Sequence, residues 1–198
     1  MANIISKVSA FINRKDTVKY CWKVRSKAKS SNPLVRYTNK YKYRKLLRRH
    51  NCMIPLCTKF EDTPTFPHGL SGIFISEGAV IGKGCTIFHQ VTIGSNTFKD
   101  SRGQGSPVIG DNVFIGAGAK IIGGVRVGNN VRIGANCVVV RDVPDNCTVV
   151  LEKPRVIYSD GERDNKYLTY DKYEKAKKDR WQIPNFERTG TWFWIGSY

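Results

Sequence analysis

ISEGAVIGKGCTIFHQVTIG (Ile75–Gly94) and VIGDNVFIGAGAKIIGGVRVGNNVRIGANCVVV (Val108–Val140) decide the fold of this 198-residue chain. Ile75, Ile81, Ile87 and Ile93 stand six residues apart, and Ile109, Ile115, Ile121, Val127, Ile133 and Val139 resume the same step. A six-residue period fits neither the 3.6 of a helix nor plain strand alternation. Four residues after each aliphatic comes a smaller apolar residue: Ala79, Cys85, Val91, Val113, Ala119, Val125, Val131 and Cys137. Two inward positions per hexapeptide, with Gly or Asn where the backbone turns, describe one short face of a triangular coil. The sequence therefore predicts an all-β core built as a parallel β-helix, whose stacked aliphatic column forms a core that no single repeat could bury alone. A sandwich of short strands would instead show turn signals every 8 to 12 residues or so.

Working outward, Ile54, Phe60 and Phe66 keep the six-residue step, so the coil is expected to begin near Ile54. From Ile54 to Ile75 is 21 residues, three more than three hexapeptides, and the slip falls in PHGLSG (Pro67–Gly72). A rung that gains residues must bulge, which lifts His68 outward. A second interruption, SNTFKDSRGQGSPV (Ser95–Val108), carries polar residues with no place in the core and reads as a surface loop suited to binding. After Pro144 the repeat decays. The expected organisation is a basic helical N-terminal segment (1–52), the coil with its loop 95–108 (53–157), and a C-terminal helix over about 167–181 followed by a tail with Phe186, Trp192, Phe193 and Trp194 (158–198). That tail reads as packing across a subunit, with membrane or acceptor contact as the sharper alternative.

The net charge of +17 is concentrated at the start: residues 1–66 carry 16 Lys and Arg against 3 acids. Ile4, Ile5, Val8, Phe11 and Ile12 lie at helical spacing, continued less cleanly by Val18, Cys21, Trp22 and Arg25. Asn32 and Pro33 are the cap and first residue of a second helix reaching about His50, with Leu34, Tyr37 and Tyr41 on one side. This segment reads as a cap over the open end of the coil, or as attraction to an anionic membrane face; no recognition motif supports nucleic acid. Cys85 and Cys137 fill inward positions, and Cys21, Cys52, Cys57 and Cys147 show no paired metal spacing. With no signal-peptide core and no run of 18 apolar residues, the expected compartment is the cytoplasm.

At HGLSGIFISEGAVIGKGCTIFHQVTIG (His68–Gly94) and SPVIGDNVFIGAGAKIIGGVRVGNNVRIGANCVVVRDVP (Ser106–Pro144) the chain resembles the serine acetyltransferase branch of the hexapeptide-repeat acyltransferases, and most of all the short members among bacterial surface-polysaccharide enzymes. The likeness covers roughly residues 52–157. It implies a left-handed parallel β-helix, a homotrimer, and acetyl-CoA in the groove between neighbouring subunits. His68 falls on the family's catalytic His, where a neutral imidazole can take the proton of the attacking hydroxyl. The family's second site His corresponds to Ser106, the Asp before the catalytic His to Pro67, and the orienting carboxylate to Met53; Glu61 and Asp62 are the candidates to replace that carboxylate. His89 stands where the family has Gln and is expected to point outward beside the loop, either lining the acceptor site or assisting the oxyanion, or as a solvated wall residue. Donor contacts implied by the resemblance are Gly94, Ala117 and Ala135 along the pantetheine arm and Arg132 at the phosphates, with Arg141, Lys153 and Arg155 as further basic candidates. Lys120 reads as a solvated face residue with CoA contact as the alternative.

The lost carboxylates and second His lead to the expectation of an acetyl-CoA-dependent O-acetyltransferase acting on a sugar hydroxyl in capsule, exopolysaccharide or O-antigen synthesis, with a lipid-linked or anionic glycan acceptor at the inner membrane face. The alternative is serine O-acetyltransferase of cysteine biosynthesis; from another class, a non-catalytic β-helix scaffold. No metal is expected, since a metal hydratase would need three converging His and the only other one, His50, falls in a predicted helix.

Overall fold

A side chain repeated every sixth residue can face one core only if the backbone turns after each strand, and the strands of the chain are accordingly two or three residues long. The computed structural model describes residues 14–156, Tyr158 and Lys175. The chain divides into two compact units, Met1–Lys153 and Pro154–Tyr198. Within the first, β2 (Phe74–Ile75), β5 (Thr92–Gly94), β8 (Lys120–Ile122) and β11 (Val138–Val139) stack in parallel as wall A. Wall B collects β1 (Lys59–Phe60), β3 (Val80–Ile81), β6 (Val108–Ile109) and β9 (Arg126–Val127). Wall C collects β4 (Thr86–Ile87), β7 (Phe114–Ile115), β10 (Arg132–Ile133) and β12 (Thr148–Val149). From β2 onward the chain visits walls A, B and C in turn, so each rung's amides bond to the next rung; Phe114 N–H donates to Val131 O (2.9 Å) and Gly116 N–H to Ile133 O (2.8 Å). This is a three-walled parallel β-helix.

The inward positions are those that the period assigns. All ten aliphatics from Ile75 to Val139 and all eight of the smaller set are buried, as are Ile54 and Phe66. Burying each large aliphatic side chain is worth roughly 1.5–3 kcal/mol, so the column is the main source of the coil's stability. Sharp corners are made by residues of positive φ stacked rung on rung. Before wall C these are Gly84, Asn112, Asn130 and Asn146; before wall A, Gly72, Gln90, Gly118 and Asn136. In the first column Asn112 Nδ2 donates to Asn130 Oδ1 (2.9 Å), and Asn130 Nδ2 to Asn146 Oδ1 (3.0 Å). Gly and Asn tolerate that backbone region; Gln90 is the outlier of its column.

Helix α1 (Arg14–Lys27) and helix α2 (Pro33–Arg49) pack on the start of the coil. Asn32 caps α2, accepting from the amides of Leu34 (3.0 Å) and Val35 (3.2 Å), with Pro33 at the first position as expected. The buried stripe of α1 is Val18, Cys21, Val24, Arg25 and Ala28. The expected face of α2 is corrected: Leu34, Tyr37 and Tyr41 are 72%, 74% and 66% exposed, and the residues that pack are Tyr43, Leu46 and Leu47. The reason is Arg25. Its guanidinium sits 5% exposed, with Nη1 donating to Tyr43 Oη (3.1 Å) and Pro55 O (2.7 Å), and Nη2 to Leu56 O (3.2 Å) and Thr58 O (2.7 Å). Tyr43 Oη in turn donates to Ile54 O (2.7 Å), so α2 must turn Tyr43 toward the coil.

Burial pushes the Cys21 and Cys52 thiols up to about 12, Cys21 with a further push from Cys52, and burial raises the Tyr43 phenol to about 12 against the opposing pull of Arg25. In the unfolded chain these groups ionise near their ordinary values of about 9 and 10, whereas the folded chain keeps them protonated. Their contribution is therefore intact below about pH 9 and lost as pH rises from there toward 12. Thermal melting by circular dichroism is expected to give one midpoint between pH 7 and 8 and a clearly lower one at pH 10.5; an unchanged midpoint would contradict the sealed cap.

The 95–108 excursion leaves the corner between walls A and B. It closes as a short antiparallel bridge in which Asn96 and Gly105 exchange amide bonds (2.9 Å each). Gly124 N–H donates to Gly103 O (2.9 Å), and a Cβ on Gly123 would stand 2.6 Å from that same oxygen, so the glycine pair lets the loop lie flat on the next rung. The first helix is expected over 3–30; its part before Arg14 and the aromatic tail lie outside the described residues. Of the expected C-terminal helix only Lys175 is described, and it is helical and exposed.

Candidate active site

The slipped rung is anchored at both ends: Phe66 and Leu70 are buried, and Ile73 beyond them is fully buried. Gly69, at φ 73°, reverses the chain between them, and its amide donates to Phe66 O (3.1 Å). His68 is thereby lifted out and exposed, as the register requires. One rung on, Thr65 bridges Thr86, a separation of 21 residues that stacks His89 against His68. The two Nδ1 atoms are 2.8 Å apart and the rings 4.8 Å centre to centre. Phe88 meets the His68 ring edge-on at 5.0 Å and 83°.

His89 is fixed through its backbone. Gly118 N–H donates to His89 O (3.0 Å), Gln90 N–H to Ser71 O (3.0 Å), and Lys120 Nζ to Gln90 O (2.9 Å). Lys120 thus holds the corner rather than standing free on the wall. Gln90 takes φ 60°, and Gly72 makes room for it: a Cβ there would stand 3.1 Å from Gln90 Cγ. A bulky residue held in this region costs on the order of 1–2 kcal/mol and is kept when the surroundings over-determine it.

The pairings of walls C and A sort the remaining candidates. Register places Ala117 under His89 and Ala135 under Ala117, so on the two rungs below the imidazoles this column carries nothing beyond a Cβ. Arg132, exposed on β10, flanks that column. On the wall A side of the same corner a concavity of about 610 Å³ is lined by Gly72, Phe74, Gln90, Thr92, Lys120 and Val138 among others. Gly94 and Arg141 are not there. Gly94 pairs with Ile122, and the register of β8 with β11 carried two residues on sets Arg141 opposite Gly123, so both lie toward the corner between walls A and B, where the excursion leaves the coil. The expectation that His89 stands beside the loop is therefore corrected: the two occupy different corners of one coil, with wall A between them. Ser106 hydrogen-bonds Ser95 (Oγ to Oγ 2.6 Å) at the loop's base. Lys153 ends the first unit and Arg155 lies in the second; both are exposed.

Nor do Glu61 or Asp62 supply a carboxylate to His68. Asp62 Oδ2 accepts from Gly84 N–H (2.8 Å) at the corner before wall C, and Glu61 is exposed on the same stretch. What touches His68 Nδ1 is His89, a pairing that the 21-residue step encodes.

A three-walled coil of hexapeptides, with an imidazole raised over a groove of small residues, is an acyltransferase scaffold. The family described as bacterial transferase hexapeptide (six repeats) matches residues 106–141. A serine acetyltransferase of Synechococcus elongatus is 50% identical over 96 residues, 48% of this chain and 38% of that protein. One from Staphylococcus aureus (strain Mu50) is 43% identical over 115 residues, 56% of this chain and 53% of that protein. Among solved structures, Neisseria gonorrhoeae serine acetyltransferase in complex with serine aligns at TM-score 0.53 and 28% identity, covering 71% of this chain and 55% of that one. Soybean serine acetyltransferase complexed with serine gives TM-score 0.54 and 28% identity over 73% and 56%. The chain spans about half the length of these relatives or less.

These relatives overturn the expected acceptor. The sugar hydroxyl and its polysaccharide role rested on the changes at Met53, Pro67 and Ser106, three local positions, whereas identity of 43–50% along the coil leads to serine acetyltransferases. The membrane contact argued with it gains no support from them. No helix among the described residues is long and apolar enough to cross a membrane, and no group of three or more metal-binding side chains occurs among them.

Proposed function

We propose that this chain is an acetyl-CoA-dependent serine O-acetyltransferase, working as a homotrimer of left-handed coils in the cytoplasm. The observation that carries this reading is the 50% identity over 96 residues with a serine acetyltransferase. The exposed imidazole of His68 supplies the chemistry.

In this reading the serine hydroxyl gives its proton to His68 as its oxygen attacks the thioester carbonyl. The C–S bond then breaks, and the imidazolium returns the proton to the leaving CoA sulfur, giving O-acetylserine and CoA. General-base assistance of this kind is worth about 10² to 10⁴ in rate. Transfer is direct in this reading, since the Cys21, Cys52, Cys85 and Cys137 thiols are buried and so withdrawn from the substrates. The pantetheine arm fits the column of Ala117 and Ala135, and Arg132 meets the phosphates. Gly94 and Arg141 would reach the same donor from the neighbouring copy, since within one copy wall A separates them from His68.

The test is to incubate the protein with acetyl-CoA and L-serine and follow loss of thioester absorbance, a readout that exposed Cys57 does not disturb. Serine-dependent turnover is the expected result. Binding of acetyl-CoA by calorimetry without any serine-dependent turnover would overturn the choice of acceptor; absence of both would overturn the enzyme.

A further inference from the structure

We propose that His89 is the positioning residue of His68: the two imidazoles form a neutral hydrogen-bonded pair in which His68 donates its Nδ1–H to His89 Nδ1, leaving His68 Nε2 free to take a proton. The role in turnover rests on the acetyl-transfer reading above; the pair itself does not.

The argument starts from the distance. Two ring nitrogens 2.8 Å apart fit one N–H···N bond. Two N–H groups pointed at each other would repel, and two lone pairs would gain nothing, so one Nδ1 carries a proton and the other does not. A ring with its Nδ1 protonated and neutral overall has its lone pair on Nε2. If His68 is the donor, its outer nitrogen is a base; if His89 is the donor, His68 carries Nε2–H and cannot accept the hydroxyl proton. The reaction selects the first arrangement.

Among the described residues, His89 is the one group placed to do this. Asp62 is committed to Gly84 N–H at another corner, position 67 is proline, and Met53 has no polar group to offer. His89 is held by the bond from Gly118 and by the strained, twice-bonded Gln90 that follows it, and Phe88 braces the His68 ring edge-on. When His68 takes the hydroxyl proton, its Nδ1–H still has a lone pair to bond to. That lone pair belongs to a neutral ring, so the site carries one positive charge where a carboxylate partner would leave none.

Two variants of the full chain test this. His89→Asn keeps an acceptor, since Oδ1 can occupy the place of Nδ1; His89→Phe keeps the ring and removes the acceptor. Two-bond ¹H–¹⁵N correlation spectra of the wild type are expected to show His68 with Nδ1 protonated, and of His89→Phe to show it moved toward the Nε2–H form. In turnover, His89→Phe should lose about 10- to 100-fold in kcat, the scale of removing a group that orients a reacting one, with KM for acetyl-CoA within about twofold. His89→Asn should recover most of that loss. A wild-type His68 in the Nε2–H form, or full kcat in His89→Phe, overturns the proposal. If the wild type does not acetylate serine at all, the spectra still decide the pairing, so the two failures are told apart.

Discussion

Replacing His68 with alanine is expected to lower kcat for acetyl transfer by about 10² to 10⁴, the range a positioned general base supplies. Binding of acetyl-CoA should change little, because the column under the imidazoles is Ala117 and Ala135, whose contacts do not pass through position 68. Stability should also be retained: the side chain is exposed, and the slip is anchored by Phe66, Leu70 and Ile73. Steady-state kinetics beside calorimetric titration with acetyl-CoA separate the two effects. A variant that turns over normally assigns the base elsewhere; one that fails to bind acetyl-CoA makes position 68 part of the donor site instead.

Arg25→Ala is expected to cost roughly 3 to 5 kcal/mol. The guanidinium makes four hydrogen bonds and lies 5.1 Å from the centre of the Phe60 ring. Removing it leaves three carbonyl oxygens and the Tyr43 hydroxyl without that donor, and each buried polar group left unpaired costs about 1–3 kcal/mol, less where water can enter. For a domain of this size that corresponds to a fall in Tm of about 10 °C or more. Trp22, packed on Phe60 (5.6 Å) and Phe66 (5.3 Å), provides a fluorescence reporter for the release of α1. Arg25→Lys keeps the charge and fewer of the bonds, so it should fall between the two. Melting of Arg25→Ala at the wild-type temperature would show that the helices are held by apolar contact alone.

The coil was legible in the chain because one number, six, governs both where the backbone turns and which side chains are buried; every inward residue from Ile75 to Val139 follows from it. The helices were less legible. Leu34, Tyr37 and Tyr41 form as good a helical stripe as the one that packs, and the choice is made by a hydrogen-bond network centred on Arg25, which no period reports. At the site, exposure of His68 follows from the slip, and so in principle does its contact with His89, because 21 residues separate both this pair and the bridged Thr65 and Thr86. The outward register of His89 does not report which corner it occupies; the pairing of Thr65 with Thr86 does, and it sets His89 apart from the 95–108 loop. The acceptor was less legible for a different reason: Met53, Pro67 and Ser106 are three altered positions, whereas the likeness to serine acetyltransferases is carried by the rest of the coil.

The helices rest on the rung that begins at Ile54, and that same rung ends in the turn carrying His68. In a stack where each storey leans only on its neighbours, damage enters from the ends. The imidazoles sit directly beneath the roof, so mild heating would silence this protein while most of the tower below still stands.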